Sequence, residues 1–509
     1  MNNPQESELE ILIRARYPLI YLVSWEEARV EEMLARVAAK QGKRAFFWTS
    51  TGGLGEPGQP RDASLIDPKA ALEFISGFSE SSLFVLKDFH PHMREPGIVR
   101  RLRDLVAGLK TTRKTVILLA PELVIPVELE KDMTVLDYDL PGPEELRGML
   151  EQVVAASGSG AKFPVELKPG DLERLVQAVQ GLTLSEAENA IARAVVTNGK
   201  LSIEAVDVIL KEIKQIIRKS RLLEYFEARE EFAAIGGLDL LKTWLNKRSR
   251  AFSQKARQFG LPQPKGVLLL GVQGCGKSMV CKAISGLWKL PLLRLDMGAI
   301  FGGIVGQSEE NMRRAIKTAD AVAPCVLWLD EIEKGLAGSK SSDRSDAGTT
   351  ARVFSTFLTW LQERNKPVFV AATANDISQL PPELMRKGRL DEIFFVDLPK
   401  LSERRAIFAI HLSQRRRDPA GFDTEALARQ ADGFSGAEIE QAVVEALSEA
   451  FVLNRDLVPA DIQKALQDTV PLSQTMRDEI DRLRQWAGTR ARPASSGEPA
   501  PAAPRAAAR

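Results

Sequence analysis

The run Gly271-Val272-Gln273-Gly274-Cys275-Gly276-Lys277-Ser278 sets glycines, one lysine and one hydroxyl at the spacing of a loop that wraps phosphate. It follows the apolar run Val267 to Leu270 and precedes an apolar helical pattern, which is the context such a loop requires. Glycines let backbone N–H groups turn inward around phosphate oxygens, and the helix behind them presents its positive N-terminal dipole. In this reading Lys277 reaches the β and γ phosphates and Ser278 ligates Mg²⁺. The nucleotide-lining stretch then runs from Gly271 through Met279.

A second group stands downstream. Val326-Leu-Trp-Leu-Asp330-Glu331 is an apolar strand pattern ending in two adjacent acids. Two carboxylates side by side are too costly to serve as core packing, so the pair is either a solvated strand end or a reactive site. After a phosphate loop the reactive reading is the stronger one. Asp330 would hold the Mg²⁺ shell, and Glu331 would be the base that polarises an attacking water. The two motifs together imply Mg²⁺-dependent hydrolysis of ATP.

On these motifs the chain resembles the AAA ATPase family over roughly residues 232–466, and the resemblance implies further roles. Val368-Phe-Val-Ala-Ala-Thr-Ala-Asn375 ends in the polar residue that helps align the water in that family. Leu384-Met385-Arg386-Lys387-Gly388-Arg389-Leu390-Asp391 matches the family's arginine-finger segment, so Arg386 and Arg389 would complete a neighbouring subunit's site. Read alone, either arginine is an ordinary surface charge. Ile235-Gly236-Gly237-Leu238 resembles the segment that covers the adenine ring, and His411 matches a nucleotide-contacting histidine. Without that alignment His411 reads as a satisfied histidine on an amphipathic helix. Gly436-Ala437 takes the place where other relatives carry a sensor arginine. One departure concerns the central-pore loop, where Ile304 in Gly303-Ile304-Val305-Gly306 replaces an aromatic residue and offers a smaller grip on a threaded chain.

A closer likeness extends over the full length, to AAA proteins encoded on algal plastid genomes and in cyanobacteria and other bacteria. It rests on Arg14-Ala-Arg-Tyr17-Pro18-Leu19-Ile20-Tyr21, on Leu86-Lys-Asp-Phe89-His90 and on Phe354-Ser-Thr-Phe-Leu-Thr-Trp360-Leu-Gln-Glu. The resemblance implies ATP and Mg²⁺ as the bound species, a homo-oligomeric ring, hexameric by family likeness, and a protein partner of unspecified identity.

The elements that must position these residues follow from apolar runs. Leu19 to Val23, Ala45 to Trp48, Leu83 to Leu86, Thr115 to Leu119 and Thr134 to Tyr138 alternate with helical patterns, which predicts a parallel sheet with crossover helices. Helices are expected from Pro143 to about Phe226. The pattern restarts at Val267 to Leu270, Leu292 to Leu295, Val326 to Leu329, Val368 to Ala372 and Ile393 to Val396, with helices from Ser402 to about Leu466.

This repetition points to a duplication. Gly181-Leu-Thr-Leu-Ser-Glu-Ala-Glu-Asn-Ala aligns without gaps on Gly433-Phe-Ser-Gly-Ala-Glu-Ile-Glu-Gln-Ala, and Leu140-Pro141 sits where Leu398-Pro399 sits. Coincidence between two amphipathic helices is the plainer alternative, and an unrelated α/β module is the alternative for the first half. That half lacks nucleotide groups: its first strand leads into Ser24-Trp25-Glu26-Glu27, its third ends Leu86-Lys87-Asp88, and Glu130-Lys131 stands at the finger position.

The expected fold is α/β: a P-loop module of parallel sheet, flanking helices and helical lid, preceded by a degenerate AAA-like domain with its own helical cap. Its expected parts are 1–204 for the degenerate domain, 205–231 for a helical linker and 232–400 for the large α/β subdomain. The lid and C-terminal helices would take 401–487, and 488–509 is a Pro/Ala/Arg tail expected to be disordered.

Composition bounds the function classes. With 509 residues, 44% hydrophobic and 27% charged, the chain reads as a globular protein of two or three domains. The 69 Lys and Arg against 68 Asp and Glu give no net field to gather phosphate backbones, which disfavours nucleic acid as a partner. Cys275, Cys281 and Cys325 are an odd set that fits reduced thiols better than a disulfide framework, and no metal-ligand spacing occurs. The Met1 end lacks a signal pattern, and no apolar run reaches the roughly 18 residues of a bilayer span, so no membrane association and a cytoplasmic location are expected. The leading function is ATP-driven remodelling or regulation of a protein partner. Two alternatives remain, a slow nucleotide-gated binding module and a nucleic-acid motor.

Overall fold

A computed structural model of the chain describes residues 4–158, 163–220, 222–226, 232–252, 256, 258–301, 307–334, 344–386 and 388–497. It divides into two compact units, Met1–Ile209 and Leu210–Arg509.

In the first unit the sheet is built from β1 (Leu19–Val23), β2 (Arg44–Thr49), β3 (Gly53–Gly55), β4 (Ser82–Lys87), β5 (Thr115–Ala120) and β6 (Met133–Asp137). The order is β3-β2-β4-β5-β1-β6, parallel throughout except for β3. Crossover helices cover both faces, which is why β4 and β5 read as unbroken apolar runs and are buried at every position. Helices Pro143–Gly158, Asp171–Val179, Leu184–Asn198 and Ala205–Ser220 follow, with a two-residue ladder between β7 (Val165–Glu166) and β8 (Leu201–Ser202).

The second unit contains β9 (Leu223–Phe226), β10 (Gly266–Gly271), β11 (Leu292–Leu295), β12 (Cys325–Leu329), β13 (Val368–Ala374), β14 (Glu392–Val396) and β15 (Arg492–Pro493). Their order is β15-β14-β10-β13-β12-β11-β9. Numbered along the chain, the five strands foreseen in each half lie in the same order, 5-1-4-3-2, in both sheets. A lid of helices Leu401–Gln414, Thr424–Gln430, Gly436–Val452 and Pro459–Asp468 follows, and then helix Arg477–Arg490. Aromatic contacts tie the sheet to its helices, among them Trp288 against Phe369 at 4.5 Å and Trp244 against Phe394 at 5.5 Å.

Two expectations need correction. The segment expected as a helical linker contributes β9, which pairs antiparallel with β11 from Leu292↔Phe226 to Leu295↔Leu223. The tail expected to be disordered from Gly488 continues as helix to Arg490, then adds β15 to the edge of β14 and buries Ala494. In both cases ladder bonds to an existing edge order a segment whose own composition carries little apolar drive. Residues 498–509 lie outside the described residues, as does the pore-loop segment with Ile304. No described helix is long and apolar enough to cross a membrane.

Candidate active site

The phosphate-type loop joins β10 to helix Lys277–Trp288. At Gly271 a β-carbon would lie 1.9 Å from the Val396 carbonyl oxygen, so only glycine lets the loop leave β10 beside β14. Lys277 is buried and donates from Nζ to the carbonyls of Gly271 (2.9 Å) and Val272 (2.7 Å). Burial pulls its ammonium down to about 8, against the pull of Glu333, Glu331 and Asp330.

The ends of β12 and β13 bring the acidic groups to this loop. Asp330 Oδ1 accepts from Ser278 Oγ at 2.9 Å and from Thr373 Oγ1 at 2.8 Å. Glu331 has left-handed backbone, φ 46°, and its N–H donates to Thr373 Oγ1 at 2.9 Å. Its carboxylate accepts from Asn375 Nδ2 at 3.0 Å on Oε1 and pairs with Lys334 through Oε2. The loop lysine, the hydroxyl, both acids and the strand-end asparagine singled out from the sequence therefore meet in one place.

A cavity of about 290 Å³ opens over them. Its lining includes Ile235, Gly236, the loop from Gln273 to Met279, Glu331, Asn375, His411, Gly436 and Ala437, so the residues expected on the adenine side share one cavity with the phosphate-type loop. Gly236 is required by a close approach: a β-carbon there would lie 2.6 Å from Ile407 Cγ1. Ala437 N–H donates to the Gly274 carbonyl at 3.0 Å, fastening the lid helix Gly436–Val452 to the loop. His411 Nδ1 lies 3.4 Å from an Arg415 nitrogen and 3.8 Å from Glu440 Oε1. Burial holds the imidazole below the ordinary histidine range, against the pull of Glu440.

Arg386 and Arg389 are not brought in. Arg386 is exposed, Arg389 donates to the Glu383 carbonyl, and neither lines the chain's own cavity.

Several contributors escaped the sequence reading. Thr373, which joins Asp330 to the Glu331 backbone, was visible only as a lone hydroxyl in an apolar strand. Glu403 accepts from Leu238 N–H at 3.1 Å and Ser495 Oγ at 2.5 Å, and Asp397 is gripped by Arg484 Nε at 2.9 Å, both pairings being distant in sequence. Glu333 is a third acid whose signal was the repeated acid in Asp330-Glu331-Ile332-Glu333.

The residues suit Mg²⁺ and a nucleotide. No cluster of three or more His, Cys, Asp or Glu that could cage a metal occurs among the described residues. Ser278 and Asp330 instead make a hard-oxygen pair of the kind Mg²⁺ takes when substrate phosphates and water fill its other positions.

At the corresponding strand ends of the first unit, charged side chains pair with one another and with a helix start. Glu26, on the turn after β1, accepts from Leu184 N–H at 2.6 Å, at the start of helix Leu184–Asn198. Arg29 pairs with Glu26 at 2.5 Å and Glu145 at 2.8 Å, and stacks 4.5 Å over the Tyr138 ring. Lys87 pairs with Glu27 at 3.0 Å and with Glu31. Local geometry repeats between the units. Thr183/Glu186 and Ser435/Glu438 form capping boxes, Gly181 (φ 89°) matches Gly433 (φ 79°), and Asp88 (φ 47°) matches Glu331 (φ 46°).

Family models match along the chain. The SpoVK-like AAA ATPase N-terminal domain covers residues 5–138 and the second domain of that type 144–220. The ATPase family associated with various cellular activities (AAA) covers 267–398, and the AAA+ lid domain 421–465. Among curated proteins the chain is similar to the AAA domain-containing protein ycf46 of Guillardia theta, 41% identical over 484 residues and 94% of each chain. The ycf46 protein of Trieres chinensis is 40% identical over 494 residues, 96% of this chain and 98% of its own. The ATPase family protein 2 homolog of Caenorhabditis elegans is 29% identical over 296 residues, 56% of this chain and 39% of its own.

Proposed function

The chain belongs to the AAA ATPase family, and from that premise we propose that it binds Mg-ATP in the cleft of residues 210–509 and hydrolyses it there, one nucleotide per chain. The observation that carries this reading is the Asn375–Glu331 hydrogen bond of 3.0 Å on the wall of the cavity that the phosphate loop also lines. A base, its orienting amide and a phosphate cradle are the minimum set for water attack on a γ-phosphate.

In this mechanism Lys277 exchanges its two carbonyl partners for phosphate oxygens. Ile235, Gly236, His411, Gly436 and Ala437 hold the adenosine end against the lid. Ser278 and Asp330 would hold Mg²⁺, which when bound would neutralise charge on the phosphates. Glu331 takes the proton of the attacking water, and Asn375 fixes the direction of its carboxylate. Arg386 and Arg389, which do not line the chain's own cavity, act on the site of a neighbouring copy in a homo-oligomeric ring, hexameric by family likeness. The work is done on a protein partner. The balanced charge argues against nucleic acid, and the free thiols Cys275, Cys281 and Cys325 suit a reducing compartment such as the cytoplasm.

The first unit is read as a duplicated AAA-like domain without nucleotide chemistry, supported by the shared strand order and the repeated capping boxes.

One observation favours a second reading, a slow nucleotide-gated binding module. Both oxygens of Glu331 are engaged, one by Asn375 and one by Lys334, which would keep basal turnover low. Turnover that rises on adding a protein partner selects the remodelling enzyme, and turnover insensitive to any partner selects the module.

The direct test of the site is Glu331→Gln. The amide keeps the shape of the carboxylate but cannot take the proton, so this variant binds ATP and does not hydrolyse it. Hydrolysis at the parent rate would remove Glu331 from its role.

A further inference from the structure

We propose that Glu333 is a positioning residue for hydrolysis: its carboxylate fixes the backbone of Asn375, and through Asn375 it fixes the carboxylate of Glu331. The proposal rests on the ATPase reading above and deepens it.

Regular pairing of β12 with β13 ends at Leu329↔Ala372. Beyond that point the regular register stops, yet the groups that must act together lie there. Three contacts take over. Glu331 N–H donates to Thr373 Oγ1 at 2.9 Å, Ile332 N–H to the Thr373 carbonyl at 3.0 Å, and Asn375 N–H to Glu333 Oε1 at 2.8 Å. Asn375 Nδ2 then reaches Glu331 Oε1 at 3.0 Å. Glu333 is thus the last link of a chain that ends on the proposed base.

Stability does not account for a carboxylate here. Glu333 is 7% exposed, and its Oε2 is buried with no hydrogen-bond partner among the described residues. Burial pushes its carboxyl above the ordinary carboxylate range, against the Asn375 N–H that draws it back. A buried acceptor left unmet destabilises a fold, and the left-handed backbone of Glu331 two residues away adds strain. Unfavourable features gathered at one strand end are the mark of a position held for function. Glu333 does not line the cavity, so its effect passes through Asn375 rather than through contact with nucleotide.

The test compares the full chain with Glu333→Met, Glu333→Gln, Asn375→Ala and Glu331→Gln, measuring kcat with saturating Mg-ATP, Mg-ADP affinity by calorimetry, and melting temperature. Methionine fills the space without an acceptor, whereas the glutamine oxygen still accepts from Asn375 N–H. Misplacing a reacting group by about 1 Å costs on the order of 10²-fold. Glu333→Met should therefore lose about 10²-fold in kcat with Mg-ADP affinity unchanged, and Glu333→Gln should recover most of that loss. In the Asn375→Ala background Glu333→Met should cost little more, because the two act in series. Three results would each overturn the proposal: parent kcat in Glu333→Met, Glu333→Gln as slow as Glu333→Met, or a full additional loss in the Asn375→Ala background. If Glu333→Met does not fold, Glu333→Ala, which also removes the acceptor, takes its place in the parent and Asn375→Ala backgrounds, and parent kcat in the first or a full additional loss in the second overturns the proposal. Failure of the ATPase reading itself would look different, with no hydrolysis by the parent chain or parent-rate hydrolysis by Glu331→Gln.

Discussion

At the scale of single residues, Glu331 is held by Asn375 at 3.0 Å, and Asp330 by Ser278 and Thr373 at 2.9 and 2.8 Å, so both acids sit on fixed hydrogen bonds. Gly271 to Ser278 and Asp330-Glu331 are local runs, and a loop after a strand can be placed without tertiary information. Thr373 and Glu403 act through partners on other elements, so nothing adjacent announced them, and Glu333 showed only as a repeated acid after Asp330-Glu331 whose partner, Asn375, lies on another strand. Gly236 falls between the two cases, since its place over the adenine came from resemblance, while the reason for glycine is the Ile407 side chain that crosses behind it. Gly236→Ala forces a β-carbon against that side chain. Overpacking of this kind costs roughly 1–3 kcal/mol, which read at the nucleotide cleft is about 5- to 150-fold in affinity. Calorimetry with Mg-ADP checks this, with a melting curve to confirm the fold. Unchanged affinity would mean that Ile407 yields and that Gly236 does not set the adenine pocket.

At the scale of elements, the central strands were legible because burial on both faces writes them as continuous apolar runs. Strands β9 and β15 were not, because four-residue and two-residue edge segments owe their existence to a register offered by β11 and β14. The same limit hid the partners of Glu26. The sequence placed Glu26 and Glu27 where phosphates would sit, but only the fold brings Leu184 N–H and Arg29 to Glu26. Removing one partner of a buried ion pair costs on the order of 3–5 kcal/mol. Glu26→Ala should therefore lower the stability of residues 1–209 by about 3 kcal/mol and raise amide exchange at the start of helix Leu184–Asn198. Hydrogen exchange on the full chain reads this directly. Protection at Leu184 equal to that of the parent would show that Glu26 does not hold the helix.

For the whole molecule, two α/β units with one strand order carry nucleotide groups in one unit only. Binding should therefore saturate at one nucleotide per chain, and Lys277→Ala should abolish it. Calorimetry that finds residual stoichiometric binding in Lys277→Ala would make the first unit a second site. This single site is proposed to be finished by a neighbouring copy, because Arg386 and Arg389 do not line their own cavity. Arginines of this type contribute about 10³ to 10⁵ in turnover, so Arg386→Ala should bind ATP and be nearly inactive. Lys277→Ala should be inactive with its finger intact. The most direct measurement mixes the two variants, allows subunits to exchange, and follows phosphate release. Interfaces that pair a sound phosphate loop with a sound finger should hydrolyse ATP, so the mixture should recover activity that neither variant has alone. No recovery, with subunit exchange demonstrated in the same samples, would contradict completion of the site by a neighbouring copy.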